Sequence, residues 1–206
     1  MVAEELANKD DIRSIWLTGY SMGGNLVLKM AGEAKDSLPW LKGAAAVCPN
    51  IHPAACVAAL EQPRNWVYHE HFLVKLKARL KRKAQLYPGK WDISRYRHIR
   101  TMSQFDDAYT APDGGFHDAA DYYERTGSRH VLHEIKVPTL IITSQDDPFI
   151  PITTFNIPSL HSNPCIQLVT PRHGGHCGFI QQTSHEEDPY WAENRIVEFI
   201  QKAATP

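Results

Sequence analysis

The sequence predicts an α/β chain built on a mostly parallel sheet and interrupted by a helical insertion. Three observations carry this. Short apolar runs without helical periodicity alternate with segments of 3.6-residue spacing, the pattern of strand–helix–strand units. A glycine-flanked serine lies where one such run gives way to a helix. From about His52 to Ile135 the alternation stops, and polar and aromatic stretches broken by Pro and Gly show no strong strand.

Taken in order, Val2 to Asn8 reads as the last turns of a helix. Ile12 to Thr18 (IRSIWLT) is too short for a buried helix and fits a buried strand that ends at Gly19. Gly23 to Lys35 follows as a helix, with Leu26, Met30 and Ala34 at helical spacing. Gly43 to Val47 is a second buried strand, closed by Pro49. Within the insertion, Phe72, Leu76 and Leu80 recur at i, i+4, i+8, the stripe of an amphipathic helix whose other faces carry Lys75, Lys77, Arg79, Lys81, Arg82 and Lys83. TLIITS after Pro138 and Ile166 to Val169 are further buried strands, and Trp191 to Ala203 is a closing amphipathic helix. The division implied is one domain, with a core of 1–51 and 136–206 and a helical cap over about 52–135.

Composition narrows the function classes. The chain has 206 residues, 43% of them hydrophobic and 22% charged, which is globular rather than disordered. With 22 Lys+Arg against 23 Asp+Glu, the net charge of -1 gives no electrostatic ground for binding nucleic acid. No apolar run reaches the ~18 residues of a membrane span, and the acidic start MVAEELANKDD has no signal-peptide pattern. Cys48, Cys56, Cys165 and Cys177 form no C-x-x-C pair and read as reduced thiols of a cytoplasmic protein.

The chemistry centres on Gly19-Tyr20-Ser21-Met22-Gly23, a G-x-S-x-G string. A tight strand-to-helix turn forces such a serine into a strained backbone conformation and projects its Oγ from the strand end. The flanking glycines are expected to let strand and helix approach without a Cβ clash. The Met22 amide, at the helix start, then faces an oxyanion formed there. A chain of this length holds such a string by chance roughly 7% of the time, so the strand before it and the helix after it are what give it weight.

An orienting acid and a base should follow in chain order. Asp146 and Asp147 compete for the first role, in a turn between the strand TLIITS and Pro151. His173 and His176 compete for the second, on the glycine-rich loop Pro171 to Phe179. The rival reading of His173 and His176 as a metal pair lacks a convincing third ligand, as does His69-Glu70-His71. No metal and no organic cofactor are expected.

Several blocks go beyond a generic hydrolase: Gly19 to Asn25, Phe105-Asp106-Asp107-Ala108-Tyr109-Thr110-Ala111-Pro112, Gly115-Phe116, Tyr122-Tyr123, Asp146 to Phe149 and Gly174 to Phe179. Together they resemble the YheT-like α/β-hydrolases, the AB hydrolase 4 family, over nearly the whole chain. The resemblance implies Asp147 as the acid and His176 as the base, with Ser21 as the nucleophile. It also implies a serine esterase, acyltransferase or phospholipase acting on short- to medium-chain acyl groups, with a small-molecule or lipid ester as substrate. Asp106 and Asp107 are read as part of a structural corner. The basic helix is read as a cap over an acyl pocket, with a membrane surface as the other partner that it would fit.

Only 20 residues precede Ser21, so the chain is expected to match the C-terminal half to two-thirds of such a hydrolase. No residue can be named for the second oxyanion donor, which the fold takes from a loop upstream of the elbow. The first strand should present an open, apolar edge. The alternative function is therefore a catalytically impaired fragment or non-catalytic remnant of such an enzyme.

Overall fold

The structure, a computed structural model, describes residues 5–7, 12, 14–35, 37–184 and 187–204. It divides into two compact units, one made of Met1–His52 with Gly127–Pro206 and the other of Pro53–Thr126.

The first unit holds a four-stranded parallel sheet in the order β1-β2-β3-β4, with β1 at Ile15–Tyr20, β2 at Leu41–Val47, β3 at Thr139–Ile142 and β4 at Ile166–Val169. The inner strands β2 and β3 are buried along almost their whole length, and β1 and β4 are half-buried. This is why GAAAV and TLII read as unbroken apolar runs: both faces of a central parallel strand are covered. Helix α1 (Met22–Ala34) packs on β1 and β2, and the helix formed by Trp191–Ala204 packs on β2 and β3. Leu28, Ala44 to Val47, Leu132, Ile141, Ile142 and Phe155 form the buried centre. Trp16 and Phe199 close one margin of it edge to face, with ring centroids 6.1 Å apart.

Several boundaries differ from the sequence reading; β2, for example, begins at Leu41 rather than Gly43. β1 extends through Gly19 to Tyr20, because Gly19 still pairs with Ala46 in the ladder although glycine ends an apolar run. Of the expected helix over Val2 to Asn8, Glu5 to Ala7 are helical and the remainder lies outside the described residues.

The second unit contains no strand among the described residues. Its α-helices of four residues or more are α2 (Pro53–Leu60), α3 (Trp66–Leu86), α4 (Met102–Phe105) and α5 (Ala119–Thr126). In the first unit a short α6 (Pro158–Ser162) precedes β4, and Trp191–Ala204 is α7. The inward stripe of α3 is His69, Leu73, Leu76 and Leu80, one position away from the predicted one at its start. Phe72 is 39% exposed, whereas Leu73 is buried against Ile99, Phe105 and Tyr109. The sequence conceals this because the stripe begins on a histidine, His69, whose Nε2 accepts the Met102 amide at 3.2 Å. Two of the six cations on α3 are engaged within the unit: Lys77 donates to the Ile99 carbonyl and Lys83 pairs with Asp113.

The Phe105 to Pro112 block forms a π turn at Asp106–Thr110, leading out of α4. Asp106 is buried and accepts the Tyr123 hydroxyl at 2.7 Å, and Asp107 accepts the Ala119 amide at the start of α5. Both carboxylates thus tie α4 to α5 as a corner. No described helix is long and apolar enough to cross a membrane.

Candidate active site

Ser21 sits between the last residue of β1 and the first of α1, with φ 52° and ψ -119°. A non-glycine residue held in that region stores of order 1–3 kcal/mol. The conformation is held on both sides: the Ser21 amide donates to the Val47 carbonyl at 2.8 Å, and its carbonyl accepts the Asn25 amide at 3.1 Å. The expectation for the two glycines is half met. A Cβ on Gly19 would collide with the Gly23 carbonyl, but a Cβ on Gly23 would meet nothing within 4 Å. The second close approach is made by Gly24, whose Cβ would lie 3.0 Å from the Gly19 carbonyl and 3.2 Å from Pro49. Met22 begins α1, so its N–H is one of the donors that no helical carbonyl can reach.

His176 lies on the loop after β4 and joins two other sequence candidates. Its Nε2 is 2.9 Å from Ser21 Oγ, and its Nδ1 is 2.8 Å from Asp147 Oδ2. The Asp147 side chain is 0% exposed. Its other oxygen accepts the Phe149 and Ile150 amides at 3.1 and 2.9 Å, which fixes the carboxylate plane. Phe149 packs its ring 4.2 Å from the imidazole. Burial pushes the His176 pKa down, but the Asp147 hydrogen bond, with help from Cys177, carries it up to about 9.

The competing pair, Asp146 and His173, is placed together but elsewhere. Asp146 Oδ2 and His173 Nδ1 are 3.2 Å apart on the surface, and neither has a hydrogen bond to Ser21. Asp146 also accepts the Gly175 amide at 2.8 Å, and Ser144 donates to the Gly175 carbonyl at 2.7 Å. The loop is thereby pinned one residue before His176. The Gly175 amide, with His173 contributing, holds the Asp146 carboxyl below the usual carboxylate range.

The two histidines of H-x-x-H do not converge on a common point, since His173 turns to Asp146 and His176 to Ser21. Cysteines surround the second one instead. One donor atom from each of Cys48, His176 and Cys177 lies within 4.8 Å of the others. Cys48 follows β2 directly and is buried, and all four cysteines are free. The hydrogen bond between the two thiols, reinforced for Cys48 by burial, pushes the Cys48 pKa up and the Cys177 pKa down. Sequence reading did not connect Cys48 to this site. The only signal was its position, the first residue past a strand on the same sheet edge as Ser21.

Tyr20 ties the elbow to α7 by donating to Glu193 at 2.7 Å. Its pKa is pushed up by burial and by that carboxylate.

Comparison with known proteins places these features in a family. Residues 4–183 match the model of the alpha/beta hydrolase fold. The protein named "Putative esterase YheT" of Escherichia coli (strain K12) is 35% identical over 185 residues, covering 88% of this chain and 53% of its own. Phospholipase ABHD3 of Bos taurus is 29% identical over 164 residues, covering 79% of this chain and 40% of its own. The chain thus spans about half, or less, of the length of these curated relatives. The crystal structure of the Pyrococcus furiosus esterase Pf2001 superposes with a TM-score of 0.54 at 17% identity, covering 98% of this chain and 59% of the other, a likeness of fold. The chain belongs to the α/β-hydrolase family, with YheT-like proteins among its relatives.

Proposed function

We propose that this chain carries the chemistry of a serine hydrolase acting on carboxylic esters of short- to medium-chain acyl groups. Ser21 is the nucleophile, His176 the base and then the acid, and Asp147 the orienting carboxylate. The observation that supports this most is the unbroken hydrogen-bonded line from Ser21 Oγ through His176 to the fully buried Asp147 carboxylate, beginning at a strained serine.

In the reaction, Ser21 Oγ attacks the ester carbonyl as its proton passes to His176 Nε2. Asp147 keeps Nδ1 protonated and stabilises the imidazolium. The Met22 N–H, reinforced by the positive end of the α1 dipole, donates to the developing oxyanion. His176 then protonates the departing alkoxide, leaving Ser21 acylated. Water, deprotonated by the same imidazole, releases the acid; an alcohol in its place would give acyl transfer. The steps need no metal or organic cofactor. The names of relatives, an esterase and a phospholipase, support an ester substrate, with a lipid ester among the candidates.

The test is hydrolysis of p-nitrophenyl butyrate and octanoate by wild type and Ser21→Ala, with circular dichroism on both. Turnover that disappears in the variant supports the proposal. A folded wild type without turnover supports the alternative, a remnant that keeps the residues and not the reaction.

A further inference from the structure

Two thiols beside a histidine form an arrangement that the proposed hydrolysis does not use. Cys48 comes from the end of β2, and His176 and Cys177 come from the loop after β4. They are thus brought together by the sheet edge and not by sequence proximity. Their three donor atoms lie within 4.8 Å of one another, close enough for small shifts to bring them onto one ion. Two sulfurs and an imidazole nitrogen are the donor set that zinc prefers, and three protein ligands leave its fourth position open.

The imidazole is already prepared for this. Asp147 holds Nδ1 at 2.8 Å, so in the neutral imidazole the lone pair resides on Nε2. A carboxylate behind a ligating histidine fixes the ring and raises its basicity toward a metal. That same lone pair is the one facing Ser21 at 2.9 Å. Both cysteines sit at positive φ, 44° and 66°, and the Cys48 amide donates to the Ile142 carbonyl at 2.7 Å.

We propose that Cys48, Cys177 and His176 form a binding site for a thiophilic divalent cation of the zinc type, and that an ion bound there occupies the His176 lone pair and blocks proton transfer from Ser21. Both cysteines bind as thiolates and their protons pass to solvent; no electron is transferred, and removal of the ion restores the thiols. The binding half stands on the donor cluster alone. The inhibitory half rests on His176 being the base.

Cobalt(II) and zinc(II) titrations of the reduced chain test it. Cobalt should give a thiolate-to-metal charge-transfer band at one equivalent, displaced by zinc. The band should vanish in Cys48→Ala and in Cys177→Ala, and persist in Cys165→Ala, whose thiol lies outside the cluster. Zinc should inhibit ester hydrolysis reversibly, with full recovery in EDTA, and the inhibiting concentration should rise at least about tenfold in either cluster variant. Because Cys177 lies on a half-buried loop, its variant reads the site even where Cys48→Ala fails to fold. Absence of the band in wild type, or its survival in either folded cluster variant, overturns the site. A band with no esterase activity to inhibit leaves the site standing and refutes the proposed reaction. Esterase activity untouched by a stoichiometrically bound ion refutes the inhibitory half alone.

Discussion

Replacing Asp147 by Asn should abolish most of the activity while leaving the fold nearly unchanged. The Asp147 carboxylate has two duties in the structure: Oδ1 accepts the Phe149 and Ile150 amides, and Oδ2 accepts His176 Nδ1–H. Asparagine has the same shape and keeps one oxygen for the two amides. It places an NH2 where Oδ2 was, so it can only donate to Nδ1. The imidazole must then carry its proton on Nε2, pointing at Ser21 Oγ, and it can no longer accept the serine's. Loss of the correct tautomer in this arrangement typically costs about 10⁴ in kcat, or ~5.5 kcal/mol of barrier. By contrast, Asp147→Ala would strand three buried N–H groups at about 1–3 kcal/mol each and confound folding with catalysis. Asp146→Asn is the control: it keeps an acceptor for the Gly175 amide and lies on the surface. Its effect should stay within about threefold, the reach of ~0.5 kcal/mol. The assay is kcat for p-nitrophenyl butyrate, with a urea midpoint for each variant. An Asp147→Asn enzyme within tenfold of wild type, or an equal loss in Asp146→Asn, would refute the assignment of roles.

Gly19→Ala should lower the urea midpoint by the equivalent of at least about 1–3 kcal/mol, because its Cβ runs into the Gly23 carbonyl. Gly23→Ala, opening on free space at the start of α1, should be neutral or up to ~1 kcal/mol stabilising. The base must be neutral to act, so kcat/KM should rise with pH and reach half its plateau near the His176 pKa of about 9. That pKa is raised above the unfolded value, so the imidazolium–Asp147 pair contributes its full stability below about pH 6.5 and loses it as pH climbs through about 9. Urea midpoints across that window should fall in wild type and much less in Asp147→Asn. Tyr123→Phe removes the donor from the buried Asp106 and should cost about 1.5–3 kcal/mol, read as a shift in melting temperature.

The strands and the elbow were legible because central parallel strands are uniformly apolar and because Gly19 before Ser21 is a steric requirement of the turn. The choice within Asp146/Asp147 and His173/His176 was not legible from the residues alone. Both pairs exist as hydrogen bonds, separated by 27 and 29 residues, and what distinguishes them is burial and the contact of His176 with Ser21. Sequence spacing carries no burial signal in a turn where adjacent side chains face opposite ways. The α3 stripe departs from the expected one at its start, with Leu73 in place of Phe72, because a hydrogen-bonded histidine can be as buried as a leucine. Cys48 escaped notice because its neighbours in space, His176 and Cys177, are more than a hundred residues away along the chain and meet it across the sheet edge.

The most direct test of the central claim is covalent labelling with a fluorophosphonate ester, followed by peptide mass spectrometry. One phosphonyl group should appear on the peptide bearing Ser21, at a rate that falls by orders of magnitude in His176→Ala and vanishes in Ser21→Ala. A folded chain that takes no label, or takes it equally in Ser21→Ala, would show that Ser21 is not an activated nucleophile.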